Sequence, residues 1–276
     1  MKVVLFCGGL GTRLRDYSEH IPKPLVPIGY RPILWHVMKY YAHYGHKDFI
    51  LCLGYRGDKI KDYFLNYNEY VSNDFTLANG GRDITLMGSD IQDWKITFVD
   101  SGLHSAIGKR LRLVEKYLDG DEYFLANYAD GLTDMPLPNM IGEFTAGNKV
   151  GTFLCAPPPQ TFHVVTLDGG NVVAGIRHVR DSGILVNAGY FVFRREIFDY
   201  LHLGDELVVE PFQRLIAQGL LQGYRYDRFW AMDTFRDQQE LSDIYNEGNA
   251  PWEIWRSAEP AAPVRQSGRV SRVAVG

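Results

Sequence analysis

Apolar and polar positions along the first half of the chain follow two alternating periods, one typical of strands and the other of helices. Residues 2–7 form a short apolar run that ends at two glycines, as a buried parallel strand does. After Pro32, apolar residues recur with the 3.6-residue period of a helix, and Gly45 ends the pattern. The same succession predicts further strands and helices at 48–53, 58–67, 95–99, 105–118, 122–127 and 137–144. Repeated strand–helix units predict an α/β fold, a Rossmann-like three-layer sandwich around a mostly parallel sheet.

After residue 150 the patterns favour strands. Strands are predicted at 150–156, 164–167, 172–176 and 185–193, and helices at 194–201, 206–218 and 235–246. In the first half, Asn79-Gly80-Gly81 between two short runs predicts a β-hairpin. From residue 257 the chain is rich in Ala, Pro, Ser and Arg and has no periodicity. We therefore expect one domain, residues 1–256, with halves at 1–150 and 151–256 and a weakly structured tail at 257–276.

The composition of the 276 residues is that of an ordinary globular protein, with 46% apolar and 22% charged residues. The 29 basic and 33 acidic residues give a formal net charge of −4, so the chain has no overall basic field for nucleic acid. No apolar stretch approaches the ~20 residues of a membrane span. The three cysteines form no CxxC pair, which predicts buried, reduced thiols. We expect a cytoplasmic protein that binds neither nucleic acid nor membrane.

A glycine-rich segment, Gly8-Gly9-Leu10-Gly11-Thr12-Arg13, directly follows the first predicted strand. Glycines at such a turn let backbone N–H groups approach phosphate oxygens closely. The segment is not a Walker A loop, because no lysine follows Gly11, and it lacks the third glycine of a dinucleotide-binding turn. Taken alone, its glycines favour a plain tight turn in which Arg13 is solvated.

A lysine held between two prolines changes that interpretation. Lys23 lies between Pro22 and Pro24, and a proline restricts both its own backbone and that of the residue before it. The stiff backbone holds Lys23 in place, although a solvated side chain in a rigid loop is the alternative. A glycine-rich loop together with Arg13 and Lys23 supplies backbone donors and two cations, which predicts a polyphosphate-binding site.

These motifs resemble the signature of the sugar-1-phosphate nucleotidyltransferases. The resemblance covers roughly residues 1–256, and stretches at 32–36, 47–55, 230–236 and 250–252 are similar to the glucose-1-phosphate cytidylyltransferase branch. It implies the nucleotide-diphospho-sugar transferase type of fold, with a nucleotide-binding half at 1–150 and a sugar-binding half at 151–256.

The resemblance also implies a reaction. An NTP, expected to be CTP, and a sugar 1-phosphate, expected to be glucose 1-phosphate, would give an NDP-sugar and pyrophosphate. The alternatives are a different NTP or phosphorylated acceptor, or a nucleotide-sugar binding protein with altered catalysis. Relatives are often homo-oligomers, and we expect the same of this chain.

The residues that would hold the nucleotide follow from the resemblance. Arg13 and Lys23 would be catalytic, because they would hold the triphosphate and stabilise the α-phosphate. Ser105 and Arg110 follow the third predicted strand, and the alternatives are a helix N-cap for Ser105 and a solvated helix charge for Arg110. The full nucleotide-binding set is Phe6, Cys7, Gly8, Gly9, Leu10, Gly11, Thr12, Arg13, Lys23, Ser105, Arg110 and Ala129.

Two aspartates are the expected ligands of a catalytic Mg²⁺. Asp130 lies just past a predicted parallel strand, at the sheet edge where open α/β folds bind ligands. Mg²⁺ is usually held by one or two carboxylates and substrate phosphates, and the resemblance implies Asp130 and Asp233 as that pair. Taken alone, Asp130 is a turn residue before Gly131, and Asp233 is a helix N-cap. Ala129 stands where the family usually has glycine.

Asn187 and Gly189 resemble the Asn-x-Gly of the family's sugar pocket. A buried asparagine in an apolar strand needs hydrogen-bond partners, which sugar hydroxyls supply, and a β-bulge at Gly189 is the alternative. The family usually carries Glu-Lys-Pro before this strand, where its lysine holds the sugar phosphate, but this chain has Arg177-His178 there. We expect His178 and Arg177 to bind the sugar phosphate, and the alternative is that Arg177 or Arg180 carries the phosphate while His178 merely packs.

Overall fold

The structure of the chain, a computed structural model, describes residues 1–9, 21–257 and 264–265. Its strands are β1 (Val3–Cys7), β2 (Pro27–Ile28), β3 (Arg31–Pro32), β4 (Asp48–Leu53), β5 (Phe75–Ala78), β6 (Asp83–Leu86), β7 (Lys95–Asp100), β8 (Tyr123–Asn127), β9 (Gly131–Leu132), β10 (Gly151–Ala156), β11 (His163–Leu167), β12 (Val173–His178), β13 (Val186–Arg194), β14 (Leu221–Arg225), β15 (Trp230–Ala231) and β16 (Val264–Arg265). Its α-helices are α1 (Ile33–His43), α2 (Gly57–Leu65), α3 (Ile107–Val114), α4 (Leu137–Thr145), α5 (Glu210–Ala217) and α6 (Phe235–Asn246). None of the helices in the described part is long and apolar enough to cross a membrane.

Seven strands form one central sheet in the order β14–β10–β13–β8–β1–β4–β7. β8, β1, β4 and β7 run parallel, β14 runs parallel to β10, and β13 lies antiparallel between β8 and β10. Along β1, Val3 and Leu5 belong to the apolar cluster that contains α1, whereas Val4 and Phe6 belong to the cluster that contains α3. Alternate strand residues face opposite sides of a sheet, so the two clusters cover its two faces. The predicted α/β sandwich with a mostly parallel sheet is confirmed.

Some elements differ from their predicted form. The helix predicted at 206–218 begins only at Glu210, because Pro211 fits the first turn of a helix but not its interior. The helix predicted at 194–201 is a 3₁₀ helix, Arg195–Tyr200. The edge strand β14 was not predicted, because Gln222 and Gly223 interrupt its apolar pattern.

A small antiparallel sheet lies apart from the central sheet. β5 and β6 form the hairpin predicted around Asn79-Gly80-Gly81. β16 pairs with β6, so two residues of the predicted tail add a strand to this hairpin. The rest of the tail beyond Ser257 lies outside the described residues.

The topology brings the ends of the parallel strands to one edge of the central sheet. The parallel strands β1, β4, β7 and β8 all run in the same direction, and they end at Cys7, Leu53, Asp100 and Asn127, respectively. The glycine-rich segment follows Cys7, and Asp130 follows Asn127 after a short turn. Open α/β sheets bind ligands outside this carboxyl edge, so the strand order places two of the candidate features where a site is expected.

A buried histidine, His36, lies within α1. It is 1% exposed, and its Nε2 donates to the carbonyl of Ile28 over 3.0 Å. The other ring nitrogen has no hydrogen-bond partner among the described residues, and Glu253 Oε1 lies 4.0 Å from it. Burial lowers the pKa of His36 to about 4, and the positive charges of Arg256 and Arg31 act in the same direction. The imidazole is therefore neutral in the folded protein at neutral pH.

We expect this histidine to make the fold less stable in acid. The unfolded chain binds a proton near the ordinary histidine pKa of about 6.5, whereas the folded chain does so only near pH 4. The free energy of unfolding therefore falls as the pH drops below the unfolded pKa, by ~2 kcal/mol between pH 7 and pH 5. Denaturant unfolding at the two pH values measures this loss. The loss of stability is expected to be smaller in His36→Gln, whose amide keeps a donor for the Ile28 carbonyl. An equal loss in the variant and the parent would mean that His36 is not the group responsible.

Candidate active site

Lys23, Asp130 and Asp233 meet at the carboxyl edge of the central sheet and form what we call the Lys–Asp cluster. The Lys23 Nζ donates to Asp130 Oδ2 over 2.7 Å and to Asp233 Oδ1 over 2.8 Å. The two acids lie 107 and 210 positions from Lys23 along the chain. The Lys23 side chain is 15% exposed, whereas the two carboxylates keep 34% and 39% of their surface exposed. The acids therefore converge on one point from a partly open side, an arrangement that suits a single cation.

Local backbone structure holds each member of the cluster. Lys23 begins a single 3₁₀ turn, Asp130 follows β8, and Asp233 lies two residues before the start of α6. The N-cap of α6 is Thr234, which forms a capping box with Asp237. The alternative that Asp233 caps this helix is therefore wrong, and its carboxylate faces Lys23 instead.

Burial and the ion pairs act on the cluster in opposite directions. Burial acts to lower the pKa of Lys23, but the carboxylates of Asp130 and Asp233 together outweigh it, so the net shift is upward. Burial raises the pKa of Asp130 and the charge of Asp233 adds to this rise, so the net shift is upward although the Lys23 ammonium opposes it. Lys23 is thus charged at neutral pH, and one positive charge faces two acids. The imbalance favours binding of a further cation.

Two members of the Lys–Asp cluster, Lys23 and Asp130, line a cavity of about 310 Å³, within the size range of small-molecule sites. The lining comes from the ends of β1 and β8, the loop before α3 and the turn before α5. The lining residues are Phe6, Cys7, Gly8, Gly9, Lys23, Pro24, Ser105, Ile107, Arg110, Tyr128, Asp130 and Glu206. The candidates Leu10, Gly11, Thr12 and Arg13 lie outside the described residues. Most of the other nucleotide-binding candidates are thus gathered around one cavity.

Arg110 is a buried side chain at the wall of this cavity that donates hydrogen bonds to several backbone carbonyls. Its side chain is 4% exposed, so the alternative of a solvated helix charge is wrong. Each N–H of its guanidinium has an acceptor; these are the carbonyls of Gly8, Leu53, Leu103 and Ser105 and the hydroxyl of Ser101. A Cβ at Gly8 would lie 2.0 Å from Arg110 Nη1, so only glycine permits this approach. Arg110 holds the backbone at Gly8 in place, and its contact with a nucleotide stays a prediction.

Ser105 lines the cavity next to Arg110. The N-cap of α3 is Ala106, and no side chain caps that helix end, so the N-cap alternative for Ser105 is wrong. The Ser105 carbonyl accepts a hydrogen bond from Arg110 Nε over 3.0 Å, which fixes the serine backbone at the cavity wall. Its contact with a nucleotide likewise stays a prediction.

Ala129 adopts a backbone conformation that favours glycine. Its φ is +61°, in the left-handed region, and its side chain is fully buried. Its N–H donates to Asn127 Oδ1 over 2.6 Å, which stabilises the turn. This turn carries the chain from β8 to Asp130, so alanine at a position where the family usually has glycine strains the backbone next to a predicted metal ligand.

We expect Ala129→Gly to be tolerated better than the same change in the preceding strand. Glycine relieves ~1–2 kcal/mol of left-handed strain, which offsets the lost methyl group and the greater entropy of the unfolded chain. The control is Ala126→Gly, because Ala126 is equally buried but lies within β8. Chemical denaturation should find the Ala129 variant more stable than the Ala126 variant by ~1–2 kcal/mol. Equal stabilities would mean that Ala129 carries no strain.

The structure contains a β-bulge around Gly189, which is the alternative that the sequence left open for this position. The register of β10 against β13 shifts between Phe153 and Cys155, and the φ of Gly189 is +76°. Asn187 Oδ1 accepts from the Gly189 N–H over 2.9 Å, and its Nδ2 donates to the Tyr128 hydroxyl over 3.4 Å. Asn187 and Gly189 therefore adjoin the cavity through Tyr128, and their contact with a sugar stays a prediction.

Arg177 and His178 lie on the separate hairpin of β11 and β12. Arg177 is exposed and His178 is partly exposed. The His178 Nδ1 accepts from the backbone N–H of Arg180 over 3.2 Å, and its ring meets the ring of His163 edge-on. Among the described residues, neither these two side chains nor that of Arg180 is hydrogen-bonded to the Lys–Asp cluster, so their contact with a sugar phosphate stays a prediction.

Tyr128 and Glu206 line the cavity but were not candidates from the sequence. Tyr128 stands next to Ala129 in the segment that carries Asp130, and this proximity was a usable signal. Glu206 lies in the turn before α5, and nothing in its neighbourhood along the chain indicates a site. Close packing of this turn on α3 brings it to the cavity, because a Cβ at Gly108 would lie 2.6 Å from the carbonyl of the preceding Asp205.

A lysine and two aspartates beside a small-molecule cavity at the carboxyl edge of an α/β sheet suit the binding of a phosphorylated ligand. The chain matches the family described as "Nucleotidyl transferase" over residues 2–234, and it belongs to that family. Over 258 residues it is 37% identical to the probable glucose-1-phosphate cytidylyltransferase of Bacillus subtilis (strain 168), covering 92% of this chain and 100% of the relative. Over 257 residues it is 37% identical to the glucose-1-phosphate cytidylyltransferase of Salmonella typhi, with the same coverage. These relatives are sugar-1-phosphate nucleotidyltransferases.

Solved structures share the fold. A putative glucose-1-phosphate thymidylyltransferase from Bacillus anthracis, in complex with sucrose, matches with a TM-score of 0.65 at 16% identity, over 88% of this chain and 94% of that one. A UDP-glucose pyrophosphorylase complexed with UDP-glucose also matches with a TM-score of 0.65, at 17% identity, over 90% of this chain and 98% of that one. At such identities the likeness shows the fold alone.

Proposed function

We propose that the protein transfers a cytidylyl group from CTP to glucose 1-phosphate and releases pyrophosphate. The observation that carries this proposal is the Lys–Asp cluster at the border of the cavity. A cation facing two acids, beside a glycine-rich turn, suits substrates that carry several phosphates. The choice of CTP and glucose 1-phosphate rests on the named activities of the two relatives at 37% identity.

The proposed reaction needs no side-chain nucleophile. An oxygen of the sugar phosphate, ionised at neutral pH, forms a bond to the α-phosphorus of the NTP. The bond from that phosphorus to the oxygen it shares with the β-phosphate breaks, and the electron pair leaves with pyrophosphate. Cys7 is also among the lining residues, but burial raises the pKa of its thiol, which therefore stays protonated and is a poor nucleophile.

Catalysis then consists of positioning and charge neutralisation. Lys23 would neutralise charge on the α-phosphate, because its ammonium is held at the cavity by two acids. The backbone at Gly8 and Gly9 would approach the phosphates, since neither residue has a side chain to block them. Arg110 would keep Gly8 in place through its hydrogen bond to the carbonyl of that residue.

The Lys–Asp cluster fits Mg²⁺. Asp130 and Asp233 are hard oxygen ligands of the kind that Mg²⁺ prefers, and both already converge on one cationic nitrogen. We propose them as its protein ligands, with substrate phosphates completing the coordination. The bound ion would supply further neutralisation of the phosphate charge.

A grid of NTPs against sugar 1-phosphates, read by pyrophosphate release, tests the proposed function. The pair of CTP and glucose 1-phosphate is expected to give the highest kcat/KM. Activity with a different NTP or sugar phosphate would keep the reaction type and replace the substrate. Tight binding of an NDP-sugar without pyrophosphate release from any pair would instead support a nucleotide-sugar binding protein.

We expect His178→Lys to lower the KM for the sugar 1-phosphate at pH 8. Histidine forms an ion pair with phosphate only when it is protonated, whereas lysine carries its positive charge at pH 8. The KM is expected to fall by about tenfold, the effect of ~1.4 kcal/mol. The control is His163→Lys on the neighbouring strand of the same hairpin. If neither variant changes the KM, His178 does not contact the phosphate, and Arg177→Ala and Arg180→Ala then test the two arginines.

We also propose that the protein acts as a homo-oligomer in the cytoplasm. Val172, Val173 and Ile176 on the β11–β12 hairpin are between 60% and 67% exposed, and clustered exposed apolar residues mark interaction surfaces. All three cysteines are free, as in proteins of reducing compartments. Size-exclusion chromatography with light scattering measures the molar mass in solution, and the mass of a monomer would contradict the proposed homo-oligomer.

A further inference from the structure

Glu206 is an acidic cavity residue that the proposed reaction does not use. Its Oε2 accepts a hydrogen bond from the Ile107 N–H at the start of α3, at 3.4 Å. Its own N–H donates to Glu210 Oε2 over 2.8 Å, which fixes the turn. Within residues 1–9 and 21–257, no other hydrogen bond and no ion pair reaches the Glu206 carboxylate. One carboxylate oxygen is thus weakly held, and the other can accept from a ligand.

Glu206 lies on the side of the cavity that α3 borders. Its Oε2 is 3.4 Å from the Ile107 N–H at the start of α3, and the carbonyl of the preceding Asp205 packs against Gly108 of the same helix. Among the described residues, no hydrogen bond or ion pair joins Glu206 to Lys23, Asp130 or Asp233. Because the phosphates belong beside the Lys–Asp cluster, the nucleoside would occupy the end that Arg110 and Glu206 line.

A carboxylate beside a nucleotide is unfavourable unless the ligand donates to it. The phosphates repel its charge, and a partly exposed carboxylate that a ligand covers without donating to it loses hydrogen bonds that water would provide. Asp130, the other acid in the lining, is compensated by Lys23. Glu206 has no such partner in the described part of the chain, so a ligand with N–H donors at this end would compensate it best.

The bases differ in what they present to such an acceptor. Cytosine carries an amino group at position 4, whereas uracil and thymine carry an oxygen that would face the carboxylate lone pairs. Glutamate and aspartate accept from the cytosine N4 amino group in nucleic-acid recognition, and such contacts discriminate between bases. Phe6 and Tyr128, with ring centroids 6.2 Å apart, supply aromatic surface at the same cavity.

We propose that Glu206 determines base specificity by accepting a hydrogen bond from N4 of cytosine, so that CTP is preferred over UTP. The inference rests on the proposed function, because it names the residue that would select the NTP of that reaction. Glu210 would be a positioning residue, since it holds the Glu206 backbone.

The ratio of kcat/KM for CTP to that for UTP, measured in Glu206→Gln, tests the proposal. The amide keeps an oxygen for the Ile107 N–H and adds a donor that suits the oxygen of uracil. The ratio is expected to fall by about 10–100-fold, through weaker use of CTP and better use of UTP. Glu196→Gln, at an exposed glutamate, is the matched control and should leave the ratio unchanged. Thermal unfolding checks that both variants fold, and Glu206→Ala provides a second variant without the amide donor.

An unchanged ratio in folded Glu206→Gln and Glu206→Ala would overturn the proposal. A parent protein that prefers any base other than cytosine would also overturn it. If the variants lose discrimination between CTP and 2′-deoxy-CTP instead, Glu206 contacts the ribose and the base assignment is wrong. Failure of the proposed function looks different, because the parent would then release no pyrophosphate with any substrate pair. Calorimetric binding of CTP and UTP to the parent and to Glu206→Gln would still decide the role of Glu206, and equal affinities in the parent would reject it.

Discussion

Replacing Asp130 or Asp233 with asparagine is expected to lower kcat by at least about 100-fold while the protein stays folded. Asparagine keeps the size of aspartate but loses the negative charge that faces Lys23 and that would bind Mg²⁺. The fold should survive, because Lys23 keeps an ion pair with the remaining acid, over 2.7 or 2.8 Å. Pyrophosphate release at a series of Mg²⁺ concentrations measures the effect, and circular dichroism with thermal unfolding checks the fold.

The matched control is Asp199→Asn, at an exposed aspartate in the 3₁₀ helix before α5, which should keep full activity. Excess EDTA is expected to abolish the activity of the parent protein. Full turnover in EDTA would exclude a catalytic divalent ion, and full turnover in both aspartate variants would exclude the Lys–Asp cluster from the reaction.

Lys23→Ala is expected to lower kcat by about 100- to 1,000-fold and to raise the KM for the NTP by much less. The ammonium would interact most strongly with the α-phosphate when its charge is greatest, in the transition state. The control is Lys59→Ala, at an exposed lysine of α2, which should match the parent. An unchanged kcat with a larger KM would make Lys23 a contact of the bound substrate only.

The same variant also has an expected effect on stability that does not depend on turnover. Without the Lys23 ammonium, the carboxylates of Asp130 and Asp233 face each other with no cation between them. The unfolding temperature of Lys23→Ala should therefore be lower than that of the parent without Mg²⁺, and it should recover more than the parent when Mg²⁺ is added. Equal shifts in the two proteins would argue against a shared cation site.

The Lys–Asp cluster was predictable from the sequence only as separate candidates. The Pro-Lys-Pro segment indicated a held lysine, and the position after a parallel strand indicated Asp130. Nothing within the chain segment around Asp233 distinguished a metal ligand from a helix N-cap. The structure distinguishes them, because Thr234 takes the cap and the Asp233 carboxylate reaches a lysine 210 positions away.

The positions of the Arg110 and Glu206 side chains could not be predicted from the sequence. Arg110 reads as a charge on an amphipathic helix, yet in the fold its guanidinium satisfies backbone carbonyls from three separate segments. Glu206 was part of a predicted helix, but Pro211 delays that helix and leaves Glu206 in a turn at the cavity. Both outcomes depend on contacts between residues that are distant along the chain.

The sequence by itself determined the α/β fold class and the family to which the chain belongs. These features are local, because hydrophobic periodicity, glycine and proline act on the backbone within a few residues. Only the tertiary structure decided that Lys23 pairs with both aspartates, that Arg110 is buried and that Glu206 faces the cavity. These contacts depend on the strand order and on how the loops pack over the carboxyl edge of the sheet. The strand order and the loop packing bring side chains that are distant along the chain into one low-dielectric site, where they must satisfy each other's hydrogen bonds.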